Sequence, residues 1–148
     1  MSSYINAALR RLVATRAEGL CEYCLINEED AFFGCEVDHI LSEKHGGQTD
    51  ADNLAYACAF CNRSKGSDIG SIVQRTGNFV RFYNPRTDQW AEHFVLDGVT
   101  IVAGSEIGEA TARILDFNNE ERLFERQTLQ AIGRYPSASA IARMRRST

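Results

Sequence analysis

Two cysteine pairs of identical spacing constrain the fold of this chain more than any other feature. Cys21 and Cys24 form one pair, Cys58 and Cys61 form the other, and two residues separate the members of each pair. A turn of this spacing directs two thiolates at one metal ion, and two such turns complete a tetrahedral four-cysteine zinc site with no position left for water. We therefore predict a structural zinc site. Buried or redox-active thiols are the alternative interpretation.

The composition indicates one domain in a reducing compartment. The chain has 148 residues, of which 44% are hydrophobic, and this is enough for a modest core. The sequence shows neither an apolar run of membrane-spanning length nor a signal-peptide pattern, so we expect a cytoplasmic protein with reduced thiols. The number of cysteines is odd, which argues against a complete set of disulfides. We predict that the fifth cysteine, Cys35, is a small buried hydrophobic residue.

Periodicity in the first half predicts a helix, two strands and a second, short helix. The apolar stripe of residues 3–18 has helical spacing, and Gly19 is suited to end that helix. Residues 32–40 are rich in aromatic and branched side chains, which favours a strand, and we expect a hairpin bent near Gly34. The remaining predicted elements of this half are a loop at residues 41–52, a strand at 54–57 and a helix from Cys61.

The second half is predicted to contain strands, a hairpin and two helices. Asp97-Gly98 lies between two apolar runs, which indicates a type I′ hairpin turn. Ser105 is a candidate helix N-cap, and Asn118 with Glu121 resembles a capping box. The small residues after Pro136 indicate a frayed tail. The predicted strands are residues 79–83, 90–96 and 99–103, and the predicted helices are residues 105–116 and 118–133.

Asp38 and His39 are adjacent residues between the two cysteine pairs. Neighbours in a strand point to opposite faces, so both can serve one site only at a kink or at the end of the strand. With such a bend, the carboxylate can hold a cation while the imidazole, which titrates near neutral pH, faces an attacking water. Taken alone, the dipeptide favours a structural histidine over a catalytic one.

The order and spacing of motifs around this dipeptide resemble those of the HNH nuclease family. The resemblance implies a ββα-metal core, in which two strands and a helix surround one divalent cation. It also implies an enzyme that hydrolyses phosphodiester bonds in nucleic acids. The motifs that carry it, within residues 21–65, are Glu36-Val37-Asp38-His39-Ile40, Gly46-Gly47-Gln48-Thr49-Asp50, Asn53-Leu54 and Cys58-x-x-Cys61-Asn62-x-x-Lys65.

Carried over by position, the resemblance gives four residues a catalytic role. His39 resembles the general base, Asp38 resembles a ligand of the divalent cation, and Asn53 resembles the residue that ties down the long loop and helps to orient the base. Asn62 falls at the second ligand position, where the family name has a histidine. An amide oxygen is a better ligand for a hard cation such as Mg²⁺ than for Zn²⁺ or Ni²⁺. We therefore expect Mg²⁺ or Mn²⁺ as the catalytic cofactor, in addition to the structural zinc.

Basic residues are unevenly distributed, although the net charge is −4. Residues 63–86 contain five basic side chains and one acid, and the segment from residue 134 onward has four arginines and no acid. Such patches can contact phosphates, with a solvated charged surface as the alternative. Lys65 matches the family pattern and is the first candidate for nucleic-acid binding, followed by Arg63 and Arg81.

Together these features predict an α+β protein whose ββα-metal core is followed by a C-terminal β-hairpin and helices. The expected function is a metal-dependent HNH endonuclease that acts on nucleic acid, with double-stranded DNA as the expected partner and no membrane partner. The alternatives are a non-catalytic zinc-stabilised nucleic-acid-binding module and a zinc-scaffolded protein-interaction domain. We expect a single domain over residues 1–148, with an N-terminal helix at about 3–18, the HNH core at about 19–70, a C-terminal extension at about 71–135 and a basic tail at 136–148.

Overall fold

The chain combines α-helices with three two-stranded antiparallel sheets in residues 4–146, the part that the computed structural model describes. The predicted α+β class is thereby confirmed. The helices are α1 (Ala7–Arg16), α2 (Ala59–Lys65), α3 (Trp90–His93), α4 (Glu106–Ile114), α5 (Glu120–Ala131) and α6 (Ala138–Arg145). The strands pair as β1 (Cys35–His39) with β2 (Leu54–Cys58), β3 (Gly70–Ile72) with β4 (Phe79–Arg81), and β5 (Phe94–Asp97) with β6 (Thr100–Ala103).

The unit formed by β1, β2 and α2 positions the candidate site. In the antiparallel register, Asp38 lies opposite Ala55 and His39 lies opposite Leu54. Helix α2 follows β2 without a loop because Cys58 is its N-cap, with a side chain that accepts a hydrogen bond from the backbone N–H of Cys61. The second cysteine pair therefore lies at the junction of the strand and the helix.

A buried core joins this unit to the C-terminal half of the chain. The four cysteines of the two pairs are part of the same cluster as aromatic residues from the second half, among them Trp90, Phe94 and Phe117. Trp90 Nε1 donates a hydrogen bond to the carbonyl of Tyr23 at 2.8 Å, within the first cysteine pair. Helix α1 packs separately, through Val13, against Leu54 of β2. No helix in residues 4–146 has the length and apolar character needed to cross a membrane.

Three expectations for the first half need correction. Helix α1 is shorter than residues 3–18, since Asn6 caps it by accepting a hydrogen bond from Leu9 N at 2.8 Å; residue 3 lies outside the described residues. The hairpin expected within residues 32–40 is wrong. Phe33 has a φ of +70°, which a strand does not allow, and it lies in an exposed turn with Phe32. Strand β1 begins only at Cys35 and pairs with β2.

The strand expected at residues 90–96 is also wrong in its first half. Trp90 to His93 form a helical turn, because the rings of Trp90 and Phe94 pack together at a centroid distance of 5.2 Å with the i, i+4 spacing of a helix. The following hairpin of β5 and β6 is present. Its two turn residues are Gly98 and Val99, of which only Gly98 has positive φ, so the turn is not type I′.

The helical C-terminal part differs from expectation at two places. Ser105 caps α4 as predicted, but Asn119 caps α5 in place of Asn118. The frayed tail after Pro136 is wrong. Ser137 caps α6 by accepting a hydrogen bond from Ala140 N at 3.2 Å, and Ala140 is fully buried, so this segment is a packed helix. Residues 147 and 148 of the predicted basic tail lie outside the described residues.

Candidate active site and metal centre

The four cysteines of the two pairs meet at one buried point. Their Sγ atoms all lie within 4.8 Å of one another, and Cys24 Sγ is 3.7 Å from Cys58 Sγ. A tetrahedral zinc with Zn–S bonds of about 2.3 Å separates its sulfurs by about 3.8 Å, so the cluster has the dimensions of a zinc site. No disulfide links cysteines in the described part of the chain. The cluster therefore fits a closed, structural zinc site.

Backbone and side-chain donors surround these sulfurs. The N–H groups of Cys24 and Cys61 each point at the first sulfur of their own pair, at 3.5 Å. Arg122 of α5 is buried and places Nη2 3.2 Å from Cys61 Sγ and 3.7 Å from Cys58 Sγ. Burial alone would lower the pKa of Arg122, but the neighbouring thiols, with Cys61 first, raise it above its usual value. A guanidinium here offsets part of the −2 charge that four thiolates leave on bound Zn²⁺.

A cavity of about 310 Å³ is lined by Asp38 and His39 of β1 and by Asn62 of α2. These three predicted residues come together because β1 ends at His39 and α2 begins immediately after β2. Neighbouring residues of a regular strand point to opposite faces. Asp38 and His39 nevertheless reach the same cavity, because the strand ends at His39. Asn53, the fourth predicted residue, does not line this cavity.

Asp38 is buried, and its carboxylate has two partners. Lys65 Nζ lies 3.1 Å from Asp38 Oδ2, and the hydroxyl of Tyr23 donates to the same oxygen at 3.3 Å. Burial raises the pKa of Asp38, and the charge of Lys65 offsets part of that rise. The side chain of Lys65 is only 1% exposed. Lys65, the first predicted contact to nucleic acid, is therefore a buried partner of Asp38.

His39 is held by the loop that follows β1. Its Nε2 forms a hydrogen bond of 2.8 Å with Thr49 Oγ1, and Glu43 Oε1 lies 3.8 Å from the same nitrogen. Within residues 4–146, Nδ1 has no hydrogen-bond partner, so it is the nitrogen left to accept a proton from water. The sequence does not predict this contact of Thr49, because no pattern distinguishes its hydroxyl from those of other polar loop residues.

The side chain of Asn53 cross-links the loop between β1 and β2 through hydrogen bonds. Its Oδ1 accepts from Leu41 N at 2.9 Å, and its Nδ2 donates to the carbonyls of Leu41 and Gln48 at 2.9 and 2.8 Å. Gly47 makes this closure possible, since a Cβ there would lie 1.7 Å from the Leu41 carbonyl oxygen. The loop that carries Thr49 to His39 is thus fixed at its centre by one amide side chain.

Asn62 lines the cavity from the middle of α2. Its Nδ2 donates to Glu36 Oε2 at 2.7 Å, which leaves Oδ1 without a hydrogen-bond partner in the described residues. A free amide oxygen beside a carboxylate is a suitable donor for a hard divalent cation. Glu36, which fixes this amide, is a further residue whose role the sequence does not predict.

The predicted nucleic-acid contacts differ in their environments. Arg63 is exposed, and no partner is found for its side chain within residues 4–146. Arg81 forms a two-point ion pair with Asp88, at 2.7 and 3.0 Å. Other arginines of the predicted basic segments are also paired with acids from distant parts of the chain, namely Arg75 with Glu109, Arg86 and Arg143 with Glu22, and Arg134 with Asp30. The basic segments are therefore less positive in the fold than along the sequence.

The site thus combines a ββα unit with an Asp-His-Asn cavity and a four-cysteine cluster that fits a structural zinc ion. The model of the HNH family, described as HNH endonuclease, matches residues 21–68. The resemblance to this family is thereby confirmed for that segment, which indicates a nuclease or other nucleic-acid-related function. No curated protein and no solved structure matches the chain.

Proposed function

We propose that this protein is a metal-dependent endonuclease that hydrolyses phosphodiester bonds in double-stranded DNA. The observation that carries the proposal is the convergence of Asp38, His39 and Asn62 on one cavity. The cavity lies inside the segment that matches the HNH family. A base and two oxygen ligands at one cavity are the groups that phosphodiester hydrolysis with a single cation requires.

His39 is the general base of the proposed reaction. Thr49 holds Nε2, so Nδ1 takes the proton of the attacking water as the new bond to phosphorus forms. Asp38 and Asn62 would hold Mg²⁺ or Mn²⁺ through one carboxylate and one amide oxygen. When bound, the cation supplies positive charge that stabilises the leaving oxygen. The family resemblance leads us to expect products with a 5′-phosphate and a 3′-hydroxyl.

A non-catalytic nucleic-acid-binding module is the second candidate, and the Asp38–Lys65 ion pair favours it. An ammonium 3.1 Å from Asp38 Oδ2 already offsets the carboxylate charge that a divalent cation would use. Such a module would bind DNA through exposed groups such as Arg63 and would need neither the base nor the cation.

Cleavage of supercoiled plasmid by wild type and His39→Ala, with Mg²⁺ or Mn²⁺, separates the two candidates. Loss of a positioned base should lower the single-turnover rate by about 10²–10⁴-fold. DNA affinity in a gel shift should remain unchanged, because phosphate contacts dominate it. His45→Ala is the matched control, since His45 is an exposed histidine of the same loop. A His39→Ala variant that cleaves at the wild-type rate would contradict the proposal.

A further inference from the structure

Asp38 is held from two sides by elements that also carry the zinc ligands. Tyr23 lies between Cys21 and Cys24, and its buried hydroxyl donates to Asp38 Oδ2 at 3.3 Å. Lys65 is the last residue of α2, whose first turn contains Cys61, and its Nζ lies 3.1 Å from the same oxygen. Each cysteine pair therefore contributes, through a neighbouring residue, one donor to a single carboxylate oxygen.

We infer that Tyr23 and Lys65 are positioning residues that reserve Oδ2 of Asp38 and leave Oδ1 as the one carboxylate oxygen for the divalent cation. This inference rests on the proposed function. A carboxylate free to rotate can bind a cation through one oxygen or both, whereas a carboxylate with two donors on Oδ2 presents one oxygen in one orientation. The cation is then fixed relative to His39, and positional precision of this kind contributes strongly to rate.

Lys65 restrains the base as well as the ligand. Its Nζ also donates to the backbone carbonyl of His39 at 2.9 Å, so one buried ammonium contacts both residues of the Asp-His dipeptide. Its position has an electrostatic consequence, since a positive charge beside Asp38 repels an incoming cation. The arrangement favours a defined geometry at the expense of cation affinity. If Lys65 served only the stability of the fold, its removal would not raise cation affinity while it lowered the cleavage rate.

Tyr23→Phe and Lys65→Met test the inference by separating cation affinity from cleavage rate. The affinity is measured from the electron paramagnetic resonance signal of free Mn²⁺, and the rate from single-turnover plasmid cleavage at saturating Mn²⁺. Lys65→Met should bind Mn²⁺ about tenfold more tightly, because a like charge has been removed. Tyr23→Phe removes no charge and should keep the wild-type affinity. Both should cleave at least about tenfold more slowly, because the carboxylate is no longer fixed.

Two matched variants control for changes of the same chemistry elsewhere. Arg11→Met removes an exposed positive charge of α1, which does not line the cavity, and should leave Mn²⁺ affinity unchanged. Tyr56→Phe removes a hydroxyl that donates to the Glu28 carboxylate and does not contact Asp38. It should keep the wild-type rate. Zinc content is measured for every variant, and Tyr23→Phe decides the question if Lys65→Met does not fold.

The outcomes separate this inference from the proposed function. The inference is overturned if both variants cleave at the wild-type rate. It is also overturned if they lose cleavage rate, Mn²⁺ affinity and zinc together. In either case plasmid cleavage by the wild type still supports the proposed nuclease. If the wild type binds Mn²⁺ without cleaving DNA, and Lys65→Met binds it more tightly, the proposed function fails and the assignment of Oδ2 stands. A wild type that binds no Mn²⁺ would overturn the inference.

Discussion

Arg122 offers the sharpest test of the zinc site, because a second buried arginine on the same helix provides its control. Arg122 Nη2 contacts the sulfurs of Cys61 and Cys58, and Nη1 donates to the Leu115 carbonyl at 3.0 Å. Arg126, one turn later in α5, is equally buried but donates to the carbonyl of Val99 and to Asn118 Oδ1, at 2.7 and 3.0 Å. We expect Arg122→Met to weaken zinc binding and Arg126→Met to leave it unchanged.

The size of the effect follows from the contacts to sulfur. A hydrogen bond to a charged group contributes about 1.5–3 kcal/mol. The contact at 3.2 Å counts as one such bond, and the contact at 3.7 Å adds less. Loss of both should cost the zinc-bound state about 2–3 kcal/mol, or about 30–150-fold in affinity. Loss of a residue that contacts metal ligands typically lowers affinity by about 10–100-fold, which is a similar range.

The assay is transfer of zinc from the folded protein to a coloured chelator, with the free energy of unfolding measured in parallel. Both variants lose buried hydrogen bonds, so both should be less stable than the wild type. Only Arg122→Met should also lose zinc at lower chelator concentrations while it is still folded. Equal zinc affinity in Arg122→Met and Arg126→Met would refute the reasoning, because the contacts to sulfur would then contribute nothing specific to the metal.

Three further predictions concern the Asp-His-Asn cavity and the proposed DNA contacts. Asn62→Ala should weaken the activation of cleavage by Mg²⁺, and Asn62→His should shift the metal preference of cleavage toward Mn²⁺, Co²⁺ or Ni²⁺. The measurement is a metal titration of the cleavage rate, and curves that match wild type would exclude Asn62 as a ligand. Asn53→Ala should lower the rate without changing metal preference, since three hydrogen bonds of the loop are lost; an unchanged rate would contradict this. Arg63→Ala should lower the slope of log DNA affinity against log salt concentration by about 0.9. Arg81→Ala should lower this slope by less, because Asp88 already pairs with Arg81. Equal slopes in the two variants would argue against this difference.

The zinc cluster and the ββα order could be predicted from sequence because both depend on short, local patterns. Two CxxC turns specify a metal site through their spacing alone, and the four sulfurs lie as close together as that spacing requires. The role of Asn53 in the loop could also be predicted, because the family resemblance assigns it. One amide side chain makes all three hydrogen bonds of that role. Predictions of this kind need no knowledge of distant contacts.

Other features depend on contacts between distant segments, which local patterns in the sequence do not show. Lys65 resembles a surface phosphate ligand in sequence, yet its position at the end of α2 directs its side chain to a carboxylate 27 residues earlier in the chain. The basic segments also looked unpaired because their acidic partners are remote, as Glu22 is from Arg143. The strand at residues 90–96 failed for the same reason, since alternation cannot reveal that Trp90 donates to the backbone of Tyr23.

The C-terminal half supports the HNH segment at the first cysteine pair, and this bears on how the segment can work. Trp90 Nε1 and the Tyr135 hydroxyl donate to the carbonyls of Tyr23 and Cys24, and Arg122 reaches the sulfurs of the second pair. Tyr23 in turn contacts Asp38. Trp90, far beyond the matched segment, is thus two contacts away from the proposed metal ligand. Because buried carbonyls without donors are costly, residues 21–68 alone would lose partners that the whole chain supplies. The geometry of the cavity therefore depends on contacts from outside the matched segment, although Asp38, His39 and Asn62 all lie within it.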